Sequence, residues 1–238
     1  MKTMLNLLLV SILTISVGTL IATPSNGDNK SVENEKAAKT LEQAVRALDN
    51  IMEDPGNGIP QSLINKSEGI VIFPGASKVA SGPFNGPGGS GIAMIHNEDG
   101  SWSNPFFVAL REGNLGFQIG AQASDIVLLF KDRNDIIDID KAEITLGDDV
   151  GVAAGPANND YSSSTDITFE TEIYSYHRSN GLFVGVNLKG IILSYNEKIS
   201  DALYMIDEVN ADEIFYGTGT PYNDKVNDLI VALNMYGK

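Results

Sequence analysis

The stretch GPGGSG, residues 86–91, has the GxGxxG spacing of a dinucleotide-binding loop, so we looked there first for chemistry. Such a loop must follow a strand and open a helix whose amide groups face the phosphates. Here the segment IAMIH, residues 92–96, follows and leads into the turn sequence NEDG, residues 97–100, which is typical of a β-hairpin. The pattern therefore predicts a glycine-rich entry to a strand and not a phosphate site.

The chain has few residues that could serve as the nucleophile or the base of a catalytic site. His96 and His177 are the only histidines, and neither stands in a triad pattern. Both are predicted to be surface residues near strand ends. Ser90 lies in Gly-Gly-Ser-Gly, but Ile92 stands where a nucleophile elbow needs glycine. Because the sequence has no cysteine, thiolate catalysis, disulfides and zinc–thiolate sites are excluded.

Carboxylates are abundant, and they leave one enzymatic alternative open. Asp148-Asp149, and Asp138 with Asp140, supply the residue type that a secreted carboxylate-dependent hydrolase needs. In a chain with a formal net charge of −15, however, such pairs are common by chance. The segment DRN, residues 132–134, starts like a calcium loop, but isoleucines replace the next ligand and the required glycine. We predict no enzyme activity, no cofactor and no metal site.

Composition sets the class of protein. The chain has 238 residues, of which 42% are hydrophobic, and this is enough for one globular domain with its own core. The net charge of −15 argues against nucleic acid as a partner and against non-specific adhesion to anionic bilayers. Any anionic ligand must therefore be bound by a local group of cations.

The first residues have the pattern of a secretory signal. Lys2 precedes an apolar run over residues 4–22, and a polar stretch follows over residues 24–31. We predict a signal peptide at residues 1–22, a linker at 23–31, and an exported protein of the periplasm, cell envelope or extracellular space. Leucine at the −3 position of this cleavage site leaves an uncleaved anchor as an alternative.

Hydrophobic periodicity divides the rest of the chain into helix, sheet and helix. Apolar residues recur every three or four positions from Val32 to Met52, which indicates an amphipathic helix. Short runs rich in Val, Ile and Phe then predict strands at residues 70–73, 91–96, 106–111, 116–121, 126–131, 143–146, 150–154, 166–177, 182–188 and 190–195. Thr220-Pro221 predicts the start of a C-terminal helix.

Two further patterns concern the shape of the sheet. Alternating polar and apolar residues over 166–177 predict a strand with one buried face, whereas residues 134–141 are ambiguous between a short helix and a strand. Glycines spaced along the strands indicate bends or close backbone approach. We therefore predict one α+β domain over residues 32–238, with a strongly curved antiparallel sheet or barrel-like core flanked by N-terminal and C-terminal amphipathic helices.

Six motifs in a fixed order carry a resemblance to a known family. They are GIVIFP at 69–74, GSWSNP at 100–105, GFQIGA at 116–121, VAAGP at 152–156, EIYSY at 172–176 and GLFVGV at 181–186 with Gly190. Over residues 66–215 the chain resembles the SYLF domain. The motif positions expected to be structural are Gly69, Pro74, Trp102, Pro105, Gly116, Gly120, Gly155, Pro156, Gly181, Gly185 and Gly190.

The resemblance implies a β-rich binding domain with flanking helices and no catalytic residue. It implies binding to phosphoinositides and other anionic lipids and, as in fungal members, to actin filaments. It is also compatible with export, because exported bacterial proteins carry this domain. The sequence itself offers cations that could form an anion site: Lys66, Lys78, Arg111, Lys131, Lys189 and Lys198.

Trp102 is predicted either to plug one end of the sheet or to stack on a ligand. We predict a non-enzymatic module that binds lipid headgroups or an apolar ligand. The secreted hydrolase and a protein-interaction domain of the actin-binding type stay open as alternatives. Cations that converge on one concavity favour the first function, and an isolated pair of buried carboxylates favours the hydrolase. Scattered cations favour neither and instead indicate a structural or protein-binding role.

Overall fold

A computed structural model describes residues 26–54, 56–76, 88–112, 123–157, 168–183, 188–217 and 223–237. In chain order, the elements within these ranges are α1 (Asn26–Met52), α2 (Gln61–Lys66), β1 (Gly69–Ala76), β2 (Gly88–Ile95), β3 (Phe106–Glu112), β4 (Ser124–Phe130), α3 (Arg133–Lys141), β5 (Ile144–Thr145), β6 (Val152–Ala154), β7 (Ile173–Ser179), β8 (Leu182–Phe183), β9 (Ile191–Tyr195), α4 (Glu197–Tyr204), α5 (Ala211–Tyr216) and α6 (Asp224–Tyr236). None of these helices is both long and apolar enough to cross a membrane.

One curled sheet forms the centre of the domain. Its strand order is β5-β9-β3-β2-β1-β4-β7-β6, with β8 beside β7, and all pairs are antiparallel except β6 with β7. Eight flat strands would separate the edges by about 34 Å, at roughly 4.8 Å per strand. Residues 146–151 alone join edge strand β5 to edge strand β6, and they reach at most about 25 Å. The short link therefore requires the sheet to curl, which confirms the predicted α+β fold with a strongly curved sheet.

The helix predicted over Val32–Met52 is present as α1, which begins earlier, at Asn26. Its buried positions recur every three or four residues and include Ala37, Leu41, Ala44, Leu48 and Ile51. The helix stops where the Asp54 carboxylate accepts hydrogen bonds from the backbone N–H groups of Gly56 and Asn57, at 2.9 and 3.1 Å. Helix α6 packs beside it, and the Tyr236 hydroxyl donates to the Asp49 carboxylate over 2.8 Å.

Helices cover both faces of the sheet. Gly69 lies against Ile136 of α3, whose side chain a Cβ at that glycine would overlap. Gly69 pairs with Phe130, and Phe130 and Asp125 point to opposite faces because they are five positions apart in one strand. On the Asp125 face the contact is with α1, since Asn50 Nδ2 donates to Asp125 Oδ2 over 3.0 Å. The strands are consequently buried on both sides.

This double cover corrects the prediction for residues 166–177. The strand β7 begins only at Ile173, and five successive residues from Ile173 to His177 are buried, so no alternation appears. Residues 168–172 instead fold against Tyr174: the Glu170 N–H donates to its hydroxyl over 3.2 Å, and Phe169 stacks on its ring. Residues 166 and 167 lie outside the described part.

Several other predictions can be compared directly. Strand β2 begins at Gly88, inside GPGGSG and three residues before the predicted start, and His96 pairs with Trp102 across the predicted hairpin. The interpretation of this stretch as the entry to a strand is confirmed. Residues 134–141 form a helix, α3, whose cap is Asp132. The predicted strand at 116–121 and the pair Thr220-Pro221 lie outside the described residues; α6 begins at Asp224 with Asn223 as its cap. The sequence patterns missed α4 and α5.

Candidate functional site

The strand registers define two ends of the sheet. At one, which we call the hairpin end, β1 and β7 begin, β2 and β4 end, and the turn 97–100 follows β2. At the other, which we call the Arg178 end, β1 and β3 end, and β7 ends at Arg178 and Ser179. Each candidate cation in the described residues lies at one of these two ends.

Two candidate cations lie at the Arg178 end, and each is already paired. Arg111 is the sixth residue of β3 and forms an ion pair with Glu143. Lys189 precedes β9 and lies 3.6 Å from the Asp148 carboxylate. Both side chains are exposed, so they remain open to solvent. Lys78 follows β1 in the sequence and lies outside the described residues.

The other three candidate cations lie at the hairpin end. Lys66 ends α2, Lys131 follows β4, and Lys198 lies in the first turn of α4, directly after β9. All three are exposed. A hydrogen bond of 2.9 Å from the Glu68 N–H to the Phe130 carbonyl ties the segments that carry Lys66 and Lys131 together. The structure therefore divides the predicted cation set between opposite ends of the sheet.

Carboxylates accompany the lysines of the hairpin end. Burial, with added repulsion from the carboxylates of Asp132 and Glu172, raises the pKa of Asp135 above its ordinary value. Glu172 also lies next to Lys131, because its carbonyl accepts the Lys131 N–H over 2.9 Å. The local field at Lys131 is therefore mixed in sign and not simply basic.

Trp102 belongs to the core of the hairpin end. Only 5% of it is exposed, and its ring stacks on His96 with centroids 3.9 Å apart. His96 Nδ1 in turn lies 2.9 Å from the Ser67 carbonyl oxygen. With both of its faces enclosed by protein, Trp102 acts as the plug of the sheet end, and the ligand-stacking alternative is not supported.

His177 lies inside the protein, so its prediction as a surface residue was wrong. It is 4% exposed, and within the described part of the chain neither ring nitrogen has a hydrogen-bond partner. Burial lowers the pKa of His177 to about 4. The imidazole is therefore neutral at pH 7, and no hydrogen bond among the described residues links it to an acid or a nucleophile.

The carboxylates that suggested a hydrolase have structural partners. Asp138 pairs with Lys141, and Asp140 accepts the Ala211 N–H over 3.2 Å. Asp148 lies near Lys189, and Asp149 accepts the Thr145 N–H over 2.7 Å. Among the described residues, the buried polar side chains are serines, one threonine and one histidine, with no aspartate or glutamate. The isolated pair of buried carboxylates that would favour the hydrolase is thus not found among the described residues.

Several family-motif positions have clear structural roles. Gly155 leaves room for the Tyr176 ring, which a Cβ would overlap, and the Tyr176 hydroxyl donates to the Pro156 carbonyl over 3.0 Å. The Pro105 carbonyl accepts the Tyr204 hydroxyl over 2.7 Å. Two motif segments thus meet each other around Tyr176, and a third anchors α4.

The remaining motif positions lie at bends or outside the description. Pro74 and Gly75 interrupt the pairing of β1 with β4 between Phe73 and Ala76. Gly181 and Gly190 have positive φ angles, 78° and 84°, in the turns before β8 and β9. Gly116, Gly120 and Gly185 lie outside the described residues.

Each end of the sheet also has an open cavity. The one at the Arg178 end, of about 330 Å³, is lined by Asn50, Gly75, Ala123, Asp125, Arg178, Asn180 and Gly181. The one at the hairpin end, of about 560 Å³, is lined by Asn97, Glu98, Asp99, Arg133, Phe215 and Tyr216. Both contain a cation together with at least one carboxylate. Within the described residues, no cluster of histidine and carboxylate side chains is suited to a metal ion.

The two arginines of these cavities were not among the cations predicted from the sequence. Arg178 Nη1 lies 3.5 Å from the Glu53 carboxylate, and Arg133 Nε donates to Glu68 over 2.6 Å. The ion pairs join residues that are 125 and 65 positions apart in the sequence. Local patterns contain no signal for pairs so distant, because only the sheet registers bring their segments together.

These features define an α+β domain whose curled sheet has an open cleft at each end. Residues 111–236 match the family Ysc84, described as "Las17-binding protein actin regulator". The chain belongs to this Ysc84 (SYLF) family, which confirms the resemblance seen in the sequence motifs.

Individual proteins of this family are also similar to the chain in sequence. The human SH3 domain-containing YSC84-like protein 1 is 30% identical over 210 residues, which is 87% of this chain and 59% of that protein. Its Xenopus laevis counterpart is 29% identical over 79% of this chain and 56% of the relative. Protein YSC84 of Saccharomyces cerevisiae is 29% identical over 66% of this chain and 34% of the relative. This chain therefore spans less than two thirds of these relatives.

Proposed function

We propose that this chain is a non-enzymatic module that binds anionic phospholipid headgroups, including those of the phosphoinositide type, with the hairpin end of its sheet. The observation that carries the proposal is the position of Lys66, Lys131 and Lys198. These exposed lysines come from α2, the loop after β4 and α4, and they share one end of the sheet. Several cations at one surface are what a phosphate-bearing membrane attracts.

The expected interaction is weak and depends on salt. Three lysines near an anionic membrane surface contribute about 3 kcal/mol, at roughly 1 kcal/mol per cation. The carboxylates beside Lys131 reduce that attraction, and so does the net charge of −15. Binding should therefore need anionic lipid and should weaken steeply between low and physiological ionic strength, since exposed charges are screened.

Co-sedimentation with vesicles tests this function. Residues 23–238 are mixed with phosphatidylcholine vesicles, with or without phosphatidylserine or a phosphoinositide. Charge reversal at Lys66, Lys131 and Lys198 should abolish sedimentation with anionic vesicles. The matched control reverses Arg111 and Lys189 at the Arg178 end and should retain it. Equal loss in both variants, or no binding by the unmodified chain, would contradict the proposal.

A protein partner is the second candidate function. It rests on the family description as a Las17-binding actin regulator, which is a statement about the family and not yet about this chain. Co-sedimentation with actin filaments, run beside the vesicle assay, separates the two candidates. Sedimentation with filaments but not with vesicles would replace lipid recognition by protein recognition.

The proposed location is the cell envelope or the secreted space. It rests on the signal-like residues 1–22, and export would place the domain beside a membrane surface. The full-length chain with a C-terminal tag, expressed in a bacterial host, should appear in the exported fraction with residue 23 as its first residue. A product that keeps Met1 and stays in the cytoplasm would rule out this location.

A further inference from the structure

The link between α4 and α5 exposes two large apolar side chains in succession. Met205 is 75% exposed and Ile206 is 45% exposed, and Asp207 and Glu208 follow them. We refer to Met205–Glu208 as the exposed turn. Met205 thus has most of its surface, and Ile206 nearly half of its surface, in contact with solvent.

The backbone of the exposed turn is held in an unusual conformation. Met205 and Glu208 both have φ angles of 58°, a left-handed region that residues other than glycine seldom occupy. Such strain persists only where the surroundings impose it, and it concentrates at binding sites. Met205 occupies the left-handed position that directly follows α4, where glycine is the usual residue.

Neighbouring residues hold the turn rigidly. The two carboxylate oxygens of Asp201 accept the N–H groups of Glu208 and Val209, over 3.1 and 3.0 Å. Val209 is 2% exposed, and its carbonyl accepts the Tyr195 hydroxyl. The apolar pair thus lies between two buried residues, Tyr204 before it and Val209 after it. A surface ordered before binding loses less conformational entropy when a partner arrives.

The charges around the pair specify the kind of partner. Asp201, Asp207 and Glu208 lie on or beside the exposed turn, and Lys30 of α1 forms an ion pair of 2.7 Å with Asp207. Lys198 of α4 lies three residues before Asp201, so three acids stand against two bases, and Glu208 forms no side-chain ion pair among the described residues. The net charge of this rim beside the apolar pair is therefore negative. Methionine is enriched at protein interfaces, and an acidic rim favours a basic ligand.

We propose that the exposed turn is a docking site for a basic amphipathic segment of a partner protein, with Met205 and Ile206 as its apolar anchors. Of the lysines proposed to meet lipid, Lys66 and Lys131 come from other elements, whereas Lys198 lies on α4, seven residues before Met205. The partner's apolar residues would cover Met205 and Ile206, while its lysines or arginines would pair with Asp207 and Glu208. An anionic membrane does not fit here, because the rim has the same sign as the headgroups.

The test uses the full-length chain and a fluorescent 15-residue peptide of lysine and leucine with an amphipathic helical pattern. Anisotropy should report binding, and the double variant Met205→Gly with Ile206→Ser should raise Kd at least tenfold. Glycine suits the left-handed φ angle, so this variant should keep the fold. A second variant, Asp207→Asn with Glu208→Gln, keeps the apolar pair and should weaken binding severalfold at low salt.

Matched controls separate docking from general attraction to an acidic protein. Val231 and Met235 form another exposed apolar pair, on α6, at 57% and 55% exposure. Their change to serine should alter Kd less than twofold, and a glutamate–leucine peptide of the same pattern should not bind. Equal effects of the two apolar pairs, or binding insensitive to the exposed turn, would overturn the proposal. So would a turn variant that instead loses self-association or vesicle binding.

Discussion

The two ends of the sheet place their histidines in opposite environments. At the hairpin end, His96 contacts the Ser67 carbonyl over 2.9 Å and stacks on Trp102. At the Arg178 end, His177 is buried, and no described residue accepts or donates a hydrogen bond to its ring. The two histidines differ in what surrounds them. His96 reaches a backbone carbonyl and an aromatic ring, whereas His177 lies in β7, which is buried on both faces.

This comparison shows that position at a strand end does not decide whether a side chain meets water. An unsatisfied buried polar group costs about 1 to 3 kcal/mol. The domain tolerates that cost at His177 and avoids it at His96. The hairpin end therefore owes its stability to satisfied contacts, and the Arg178 end contains a group whose protonation opposes folding. Four measurements test this contrast.

Removal of the Trp102 ring should have the largest effect. Trp102→Ala opens a cavity at the hairpin end and exposes one face of His96, so the free energy of unfolding should fall by about 4 kcal/mol. Urea denaturation measures the change. Tyr216→Ala, at an aromatic of the same end that is 54% exposed, should cost less than about 0.5 kcal/mol. Similar losses in both variants would show that Trp102 is not the plug of this end.

Acid should destabilise the domain through His177. Its pKa is about 4 in the folded chain against 6.5 when exposed, so the unfolded state binds the proton first. Stability is then full above pH 6.5 and falls by about 3 kcal/mol as the pH drops to 4. His177→Leu should remove that part of the pH dependence, whereas His96→Gln should retain it. An unchanged pH profile in His177→Leu would contradict the buried imidazole.

Substitution by alanine should cost more stability at one glycine than at another. At the first there is no space for a Cβ, whereas at the second the only obstacle is a positive φ angle. A Cβ at Gly91 in β2 would overlap the Ile72 carbonyl oxygen, so Gly91→Ala should cost about 2 kcal/mol or more. Gly100, in the turn of the hairpin end, has φ of 81° and open space around it. Gly100→Ala should cost about 1 kcal/mol. Thermal unfolding of both variants measures which substitution costs more stability. A greater loss for Gly100→Ala than for Gly91→Ala would contradict the prediction.

The smallest expected difference in stability is between variants that remove one ion pair at each end of the sheet. Glu68 pairs with Arg133 at 2.6 Å and is 42% exposed, whereas Glu53 lies 3.5 Å from Arg178 and is 66% exposed. Glu68→Gln should cost about 1 kcal/mol and Glu53→Gln less than about 0.5 kcal/mol, since exposed pairs contribute little. The loss at Glu68 should shrink in high salt; a loss that salt does not change would point to packing instead.

The sequence predicted the elements whose pattern is local. The period of α1, the turn after His96 and the glycine-rich entry to β2 all follow from neighbouring residues, and the structure confirms them. The one-sided burial of residues 166–177 was wrong because the opposite face is covered by segments far away in the chain. Helices α4 and α5 were missed because each is short, eight and six residues.

The candidate site was less predictable than the fold. Lysines and arginines could be named from the sequence, but their division between two ends depends on strand registers. The arginines of the two cavities pair with glutamates from distant elements, and the exposed turn owes its character to backbone angles and solvent exposure. Only a folded chain has these properties, since composition records which charges exist and not where they meet.

The sequence by itself determined the family, the helix–sheet–helix order and an acidic chain without thiols, because motifs, periodicity and composition are properties of local residues. The tertiary structure alone decided how the sheet curls and which histidine is buried. It also decided which lysines share an end and how the turn after α4 meets solvent. These outcomes depend on contacts between residues far apart in the chain, and strand pairing with helix packing on both faces creates those contacts.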